Sequence, residues 1–199
     1  MKVLAFTDVH GDKRAIKSII ESAKLDNPDL LVCAGDASNF GENLDLILKE
    51  LKTTKKSIII IPGNHEDKEE LEKICNKFEN CIYLHKRTYK IGNYFFIGFG
   101  GGGFSTRDFE FEEFVNKKKE EISKEHKIIL ITHGPVYGTK VDLIPGLGHR
   151  GCKSYRKFID KFKPIIVICG HFHEAAGKLD EIDRSLIINP GKLGKVLEF

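Results

Sequence analysis

Residues 1–10 read MKVLAFTDVH, a short apolar run that ends in an aspartate and a histidine. A run of this kind, rich in aliphatic residues and bounded by polar or turn residues, predicts a buried strand, and the polar residue after it lies at the carboxyl end of that strand. In α/β proteins ligands gather at this edge of the sheet, so such residues are expected to converge even when they are distant in sequence. The arrangement recurs along the chain, and the residues that follow these runs together predict a polynuclear metal centre. They are Asp8 and His10 after residues 3–6, Asp36 after residues 30–34, Asn64 and His65 after residues 58–61, His133 after residues 128–131, and His171 and His173 after residues 165–169.

The length and composition are typical of one soluble domain. A chain of 199 residues can bury a core without disulfides or metal ions as scaffolding, so we expect a single domain over residues 1–199. Hydrophobic residues make up 41% of the chain, and no stretch approaches the roughly 18 consecutive apolar residues of a membrane span. The first residues enter a strand at once and show no secretory signal. We therefore expect a cytoplasmic protein that is not bound to membranes.

Charge and cysteine content narrow the classes of function. The net charge is +3, and basic residues are mixed with acidic ones, so a nucleic-acid partner is not indicated. This balance neither requires nor excludes an anionic small-molecule substrate. The 5 cysteines are odd in number and lack a Cys-x-x-Cys pair, which indicates buried thiols in a reducing compartment rather than disulfides.

Strands alternate with helices through the first half of the chain, and the second half is richer in strands. Apolar residues at helical spacing predict helices over residues 12–25, with Asp12 as the cap, and over residues 42–51, 68–78, 110–126 and 155–162. Apolar runs predict further strands over residues 81–85, 88–91 and 94–99, and a closing strand pair of residues 186–189 with residues 195–199. This order predicts an α/β fold in which a two-layered or sandwiched sheet is flanked by helices.

Each of the polar motifs has a plainer interpretation when it is taken alone. Residues two apart on an extended segment point the same way, so Asp8 and His10 can bind one ion, but a turn cap beside a solvated histidine has the same sequence. Asn64 offers a hard, neutral oxygen, and the adjacent His65 points elsewhere, which allows two different roles. The common position of all the motifs after strands favours a metal site over a set of capped turns.

Residues 98–104 form a glycine-rich run, GFGGGGF. No Gly-Lys-Ser/Thr follows it, so a phosphate-binding P-loop is not predicted. Two interpretations stay open for this run. It is either a flexible loop that borders the pocket, with Phe99 or Phe104 touching an organic substituent of a substrate, or a plain turn after the preceding strand.

The motifs resemble those of a known family. In type and order they are similar to the calcineurin-like metallophosphoesterase superfamily, through Asp8-x-His10, Gly35-Asp36, Gly63-Asn64-His65, His133 and Gly170-His171-x-His173. The resemblance covers nearly the whole chain, and residues 189–191 (Asn-Pro-Gly) together with the small size resemble its compact archaeal and bacterial members. It implies a two-sheet β-sandwich flanked by helices, with the metal site at the carboxyl ends of the strands.

The resemblance also implies a role for each residue of the site. Two divalent ions, manganese first and Fe, Ni, Zn or Co as alternatives, would be bridged by Asp36. A hydroxide between the ions would attack phosphorus, and His65 would protonate the departing alkoxide as general acid. The two ions would be held by sets of four ligands: Asp8, His10, Asp36 and His173 for one, and Asp36, Asn64, His133 and His171 for the other.

The chain departs from the larger phosphatases of this superfamily in one segment. Residues 35–41 read GDASNFG, whereas those phosphatases carry Gly-Asp-x-x-Asp-Arg-Gly, so the phosphate-binding arginine is missing there. Arg150 or Arg107 is a candidate replacement, with a surface or structural role as the alternative for either. The candidate substrate contacts are Asn39, Arg150 and Phe104.

The predicted activity is hydrolysis of a small-molecule phosphoester, with a phosphodiester favoured. A dianionic monoester gains more from an additional cation than a diester does, so the missing arginine favours diesters. A phosphomonoesterase with the same dinuclear site is the alternative. A non-catalytic metal-binding scaffold is a further alternative, but scaffold members of the superfamily typically lose ligands or the acid, and every such position is filled here.

Overall fold

The computed structural model describes residues 1–125 and 127–199, and its helices lie close to the predicted positions. The Asp12 carboxylate caps the first helix by accepting hydrogen bonds from the backbone N–H groups of Arg14 and Ala15, as predicted. The helix predicted over residues 110–126 ends at Ile122, and residue 126 lies outside the described residues. The helices are α1 (Lys13–Asp26), α2 (Leu44–Lys52), α3 (Lys68–Cys75), α4 (Phe109–Ile122) and α5 (Lys153–Phe162).

The strands include every predicted one and add three short ones. The additions are β8, β9 and β11, whose few, partly exposed residues carry no apolar run that would reveal them. The strands are β1 (Lys2–Phe6), β2 (Leu30–Cys33), β3 (Ser57–Ile60), β4 (Cys81–Tyr83), β5 (Arg87–Ile91), β6 (Tyr94–Phe99), β7 (Lys127–Thr132), β8 (Leu143–Ile144), β9 (Gly148–His149), β10 (Ile166–Ile168), β11 (Leu179–Ile182), β12 (Ser185–Ile188) and β13 (Lys195–Glu198).

Two mixed sheets form the centre of the fold. The first has the order β13-β1-β2-β3-β4, and the second has the order β11-β12-β10-β7-β6-β5. In the first sheet β1 to β4 run parallel and β13 is antiparallel to β1. In the second sheet β6, β7, β10 and β12 run parallel, and β5 and β11 are antiparallel edge strands. Strands β8 and β9 form a separate hairpin.

The prediction of a closing strand pair is wrong. Strand β12 pairs with β10 and β11 in the second sheet, whereas β13 pairs with β1 in the first. The two strands therefore join different sheets. Both are apolar enough to be strands, but their partners are set by long-range packing that local sequence does not specify.

Alternate residues of the strands serve two different cores. In β1, Val3 and Ala5 lie in the core between the two sheets, and Leu4 and Phe6 lie in the core under α1, α2 and α3. A third core packs the outer face of the second sheet against α4 and α5. The layers are thus helix, sheet, sheet and helix, which confirms the predicted two-sheet α/β fold.

The cysteines agree with the predicted buried thiols. All five cysteines are free thiols, and four of them are buried. Among the described residues, no helix is both long enough and apolar enough to cross a membrane.

Candidate metal centre

The predicted ligands converge at one edge of the sandwich. Each follows a parallel strand, so all lie where the carboxyl ends of these strands meet. The strands of the first sheet supply Asp8, His10, Asp36 and Asn64, and the strands of the second sheet supply His133, His171 and His173.

One group of ligand atoms gathers around His10. Its Nε2 lies 3.2 Å from Nε2 of His173 and 3.7 Å from Oδ2 of Asp36. The Nε2 of His173 is also 3.6 Å from Oδ1 of Asp8. These four residues form the first cluster.

A second group gathers around Asn64. Its Oδ1 lies 2.9 Å from Nδ1 of His171 and 3.0 Å from Nε2 of His133. The Nε2 of His133 is 3.3 Å from Oδ2 of Asp36. The same carboxylate oxygen of Asp36 therefore faces both clusters, as a bridging ligand would.

The donor atoms fit divalent metal ions. Nitrogen and oxygen ligands bound at about 2.1 Å to one ion lie roughly 3 Å from each other, which is the spacing within both clusters. The two imidazole Nε2 atoms of His10 and His173 face each other, an arrangement that a shared cation stabilises. The donor set of imidazole, carboxylate and amide oxygen suits borderline and hard divalent ions, and among the described residues no cysteine belongs to these groups.

Backbone conformation at the ligands is unusual. Four of the seven have φ in the left-handed region: Asp8 at 55°, His10 at 49°, Asp36 at 52° and His171 at 70°. Non-glycine residues adopt this region at a cost, and strained residues of this kind concentrate at functional sites. The surrounding packing therefore holds the ligands in place.

Two glycines let the loops after β2 and β3 approach each other. A Cβ atom on Gly63 would overlap the Asp36 carboxylate. A Cβ atom on Gly35 would lie 2.7 Å from the Gly63 Cα and 2.7 Å from Nδ1 of His133. Any larger residue would push the bridging carboxylate away from its neighbours.

Further hydrogen bonds orient the imidazoles. His133 is fully buried, and its Nδ1 lies 3.0 Å from the carbonyl oxygen of Ala34, so Nδ1–H donates there and Nε2 is left to bind a metal. The Nδ1 of His10 makes the corresponding bond to Oδ1 of Asn39, at 3.0 Å. The backbone N–H of His171 donates to Asp8.

Burial and neighbouring charges set the protonation of the ligands. Burial raises the pKa of Asp36, but the hydrogen bond and charge of His133 outweigh it, and the net pKa is lowered. Burial lowers the pKa of His171 to about 4. At neutral pH the first is therefore a carboxylate and the second a neutral imidazole, the forms that bind metals.

His65 lies beside both clusters. Its backbone N–H donates to Oδ1 of Asp36 at 3.0 Å, and its ring centroid is 4.8 Å from that of His10 and 4.6 Å from that of Phe40. Its Nδ1 is buried and has no hydrogen-bond partner among the described residues. A side-chain nitrogen of His65 also lies within metal-binding reach of His10 and Asp36, so geometry alone permits His65 as a further imidazole ligand.

The candidate substrate contacts are not all at the site. Asn39 and Phe104 line the cavity over the metal centre, although Asn39 is also bonded to His10. Arg150 is exposed and is not among the residues that line this cavity; it follows the β8–β9 hairpin, and its backbone N–H donates to the carbonyl of Asp142. Arg107 pairs with Glu112 on the surface, at 2.8 and 3.0 Å.

The glycine-rich run borders the site. A Cβ atom on Gly103 would lie 2.5 Å from Nε2 of His171, and the Phe104 ring contacts the same imidazole with centroids 4.4 Å apart. Phe99 instead lies in the core beneath α4 and α5. The run therefore borders the cavity, and of the two phenylalanines Phe104 is the one that lines it.

Sequence reasoning assigned no role to Glu66, which is buried behind the centre. Its carboxylate accepts hydrogen bonds from the backbone N–H groups of Asp36, Ser38 and Gly63, at 2.8 to 2.9 Å. It thereby joins the loops that follow β2 and β3. The only signal in the sequence was an acidic residue directly after Asn64 and His65, and acidic residues are common before helices.

The fold and the site together define a metal-binding α/β sandwich with two clusters that share one aspartate. The chain belongs to the calcineurin-like phosphoesterase family, whose family model matches residues 1–175. This family depends on a dinuclear metal centre, and membership supports a hydrolase.

Known proteins similar to this chain come from several organisms. An uncharacterized protein of Methanocaldococcus jannaschii is 31% identical, over 96% of this chain and 88% of its own length. The structure resembles that of a Thermus thermophilus protein with a TM-score of 0.77 and 17% identity, over 96% of this chain and 89% of that chain.

Two further solved structures have described activities. An archaeal phosphodiesterase matches with a TM-score of 0.51 and 20% identity, over 96% of this chain and 84% of that chain. A dimetal phosphatase from Danio rerio matches with a TM-score of 0.64 and 11% identity, over 94% of this chain and 86% of that chain. At these identities the solved structures show the fold alone.

Proposed function

We propose that this protein is a phosphodiesterase that uses two divalent ions, with manganese the first candidate. The observation that carries the proposal is the pair of donor clusters that share Asp36, with a further imidazole, His65, beside them. When bound, the two ions supply positive charge for the phosphoryl oxygens and lower the pKa of a water molecule. The residues proposed to hold them are Asp8, His10, Asp36 and His173 for one ion, and Asp36, Asn64, His133 and His171 for the other.

In this proposal His65 is the general acid and not a ligand. Each cluster already offers four protein donors without it, and the backbone bond to Asp36 fixes its position at the edge of the centre. An imidazole beside the metal centre is suited to protonate a departing alkoxide. Phe40 covers one side of the ring and limits its access to water.

The charge of the cavity supports a diester over a monoester. The cavity over the metal centre has a volume of about 480 Å³, and neither Lys nor Arg is among the described residues that line it. Beyond the metal ions, no Lys or Arg among these described lining residues would offset the second negative charge of a monoester, and Lys192 of the adjoining cavity beside Asp8 is paired with Asp12. A phosphomonoesterase with the same dinuclear site is the alternative.

The test compares hydrolysis of bis-p-nitrophenyl phosphate and p-nitrophenyl phosphate by metal-stripped protein before and after addition of Mn²⁺. We expect activity to depend on metal and kcat/KM to be higher for the diester. Clearly faster hydrolysis of the monoester would overturn the diester assignment. Two bound ions per chain without turnover of either ester would favour the scaffold alternative.

The same assay on His65→Asn tests the role of this histidine. We expect kcat to fall by about 10²- to 10⁴-fold, the usual contribution of general acid catalysis, while the variant still binds two ions per chain. If the variant instead loses an ion, His65 is a ligand.

A further inference from the structure

Two exposed phenylalanines flank the metal centre. The exposed fraction is 77% for Phe40 and 80% for Phe104. The Phe40 ring lies against His65, with centroids 4.6 Å apart, and the Phe104 ring lies edge-on against His171, with centroids 4.4 Å apart. One phenyl group therefore stands on the side of the proposed general acid, and the other stands beside the second cluster.

Neither ring contributes to a core of the protein. The three cores are formed by other residues, and a large apolar side chain left in water gains nothing for folding. An isolated exposed apolar residue is ordinary, but two of them in contact with the histidines of one site are informative.

The backbone of Phe40 strengthens this point. Its φ is 50°, and it is the one apolar residue among those described, apart from glycine, that has a left-handed backbone. A bulky residue in this region is an outlier, because its Cβ crowds the backbone. Asparagine or glycine would adopt this conformation with less strain, so local folding does not explain the aromatic side chain at this position.

Phe104 is held by the segment before it. The backbone N–H of Gly101 donates to the carbonyl of Pro62 at 2.8 Å, which ties the glycine-rich run to the loop after β3. Close packing of Gly103 on His171 brings the following phenyl group into the cavity wall. The cavity thus has polar ligands at its base and an aromatic group at its rim.

We propose that Phe40 and Phe104 form an aromatic subsite for a planar aromatic substituent of the phosphoester, such as an aryl group or a nucleobase. The inference rests on the proposed function, because the phosphoryl group is placed at the metal centre, where Phe104 is part of the cavity wall and Phe40 lies against His65. Phe40, beside His65, contacts the leaving group, and Phe104 contacts the other ester arm. Bases stack on exposed aromatic rings without a need for specific hydrogen bonds, so this subsite selects aromatic over alkyl esters.

Binding to Mn²⁺-loaded protein tests the subsite without requiring turnover. Calorimetry is carried out with methyl phosphate, phenyl phosphate and thymidine 5′-phosphate. We expect the wild type to bind the two aromatic esters about 10-fold more tightly than methyl phosphate, a typical stacking contribution. Equal affinity for methyl and phenyl phosphate would overturn the inference, and tighter binding of the thymidine ester than of phenyl phosphate would identify a nucleobase as the source.

Variants assign the effect to the two rings. The variant with both Phe40→Ala and Phe104→Ala should lose most of the aromatic preference, whereas Phe109→Ala, at another exposed phenylalanine at the start of α4, should keep it. Phe40→Leu should behave like Phe40→Ala, and Phe40→Trp should retain the preference, because a ring face is needed and not only apolar volume. Unchanged preference in the double variant would contradict the assignment.

Kinetics separate this inference from the proposed function. Methyl p-nitrophenyl phosphate and phenyl p-nitrophenyl phosphate share a leaving group and differ in the other arm. We expect Phe104→Ala to lower kcat/KM about 5-fold more for the phenyl diester than for the methyl diester, and Phe40→Ala to lower it about 5-fold for both. Equal losses on both diesters in Phe104→Ala would contradict its role. No turnover of either diester by the wild type would instead count against the proposed function, while the binding data decide on the subsite.

Discussion

Glu66 holds two loops of the metal centre together through one buried carboxylate. Its two oxygens accept hydrogen bonds from three backbone N–H groups and from the Ser38 hydroxyl, which offset part of the cost of its burial. Burial raises its pKa, although these bonds oppose the shift. The position of Asp36 thus depends on a residue that lies outside both donor clusters.

Glu66→Gln should weaken both the fold and the metal centre. An amide nitrogen in place of one carboxylate oxygen would face backbone N–H donors and leave them unpaired, at a cost of about 2–4 kcal/mol. Metal affinity should fall about 10- to 100-fold, as for other residues that orient ligands. Urea unfolding and Mn²⁺ titration measure the two effects, and Glu69→Gln, at an exposed position of α3, is the control. Equal stability of the two variants would contradict this role.

The connection between β6 and α4 illustrates how one element is anchored by its neighbours. The segment begins with Gly100, whose backbone N–H donates to Nδ1 of His85 at 2.9 Å. His85 is 7% exposed and lies against the ring of Phe99. This hydrogen bond connects the glycine-rich run to the segment that follows β4, and the run continues from there to His171.

The buried His85, which accepts the hydrogen bond from Gly100, predicts a dependence of the free energy of unfolding on pH. Burial lowers the pKa of His85 to about 4 from 6.5. The unfolded chain therefore binds the proton more readily than the folded one. The contribution of neutral His85 to the free energy of unfolding is fully present above pH 6.5 and is lost as pH falls towards 4, by about 3 kcal/mol in total. His85→Gln keeps an acceptor for Gly100 and removes the titration. The difference in unfolding free energy between wild type and variant should therefore change between pH 6.5 and 4, and a constant difference would show that His85 does not titrate in this range.

At the scale of the whole molecule, the cores and the metal centre are separate. Three apolar cores bury both faces of the two sheets, and the ligands extend from loops at one edge. Strand β13 returns to pair with β1, so the first sheet includes residues from both the start and the end of the described chain. The fold is therefore expected to persist without its ions.

Removal of metal should leave a folded protein of lower thermal stability. The cores remain intact, and the loss is limited to the binding free energy, about 4 kcal/mol for each ion when the free ion is at 1,000 times its Kd. At 2–4 °C per kcal/mol for a chain of this size, Tm should fall by about 10 °C for each ion removed. Circular dichroism of the chelator-treated protein should keep the helical signal and a cooperative transition. Loss of that signal at 25 °C would show that metal binding is coupled to folding.

Local sequence determined the elements and the positions of the ligands. Apolar runs located the parallel strands, Asp12 marked the start of α1, and the residues after the strands converge as predicted because parallel strands share one carboxyl edge. These properties depend on residues that are a few positions apart, and the spacing of apolar residues along the chain reflects them.

Tertiary structure alone decided the rest. Four features depend on residues far away in the chain. They are the partners of β12 and β13, the exclusion of Arg150 and Arg107 from the cavity, the burial of Glu66 and the placement of Phe40 against His65. Local sequence specifies whether a segment can form a strand or a turn. Which strand it pairs with, and which way a side chain in a loop then points, follows only from packing of the complete set of elements.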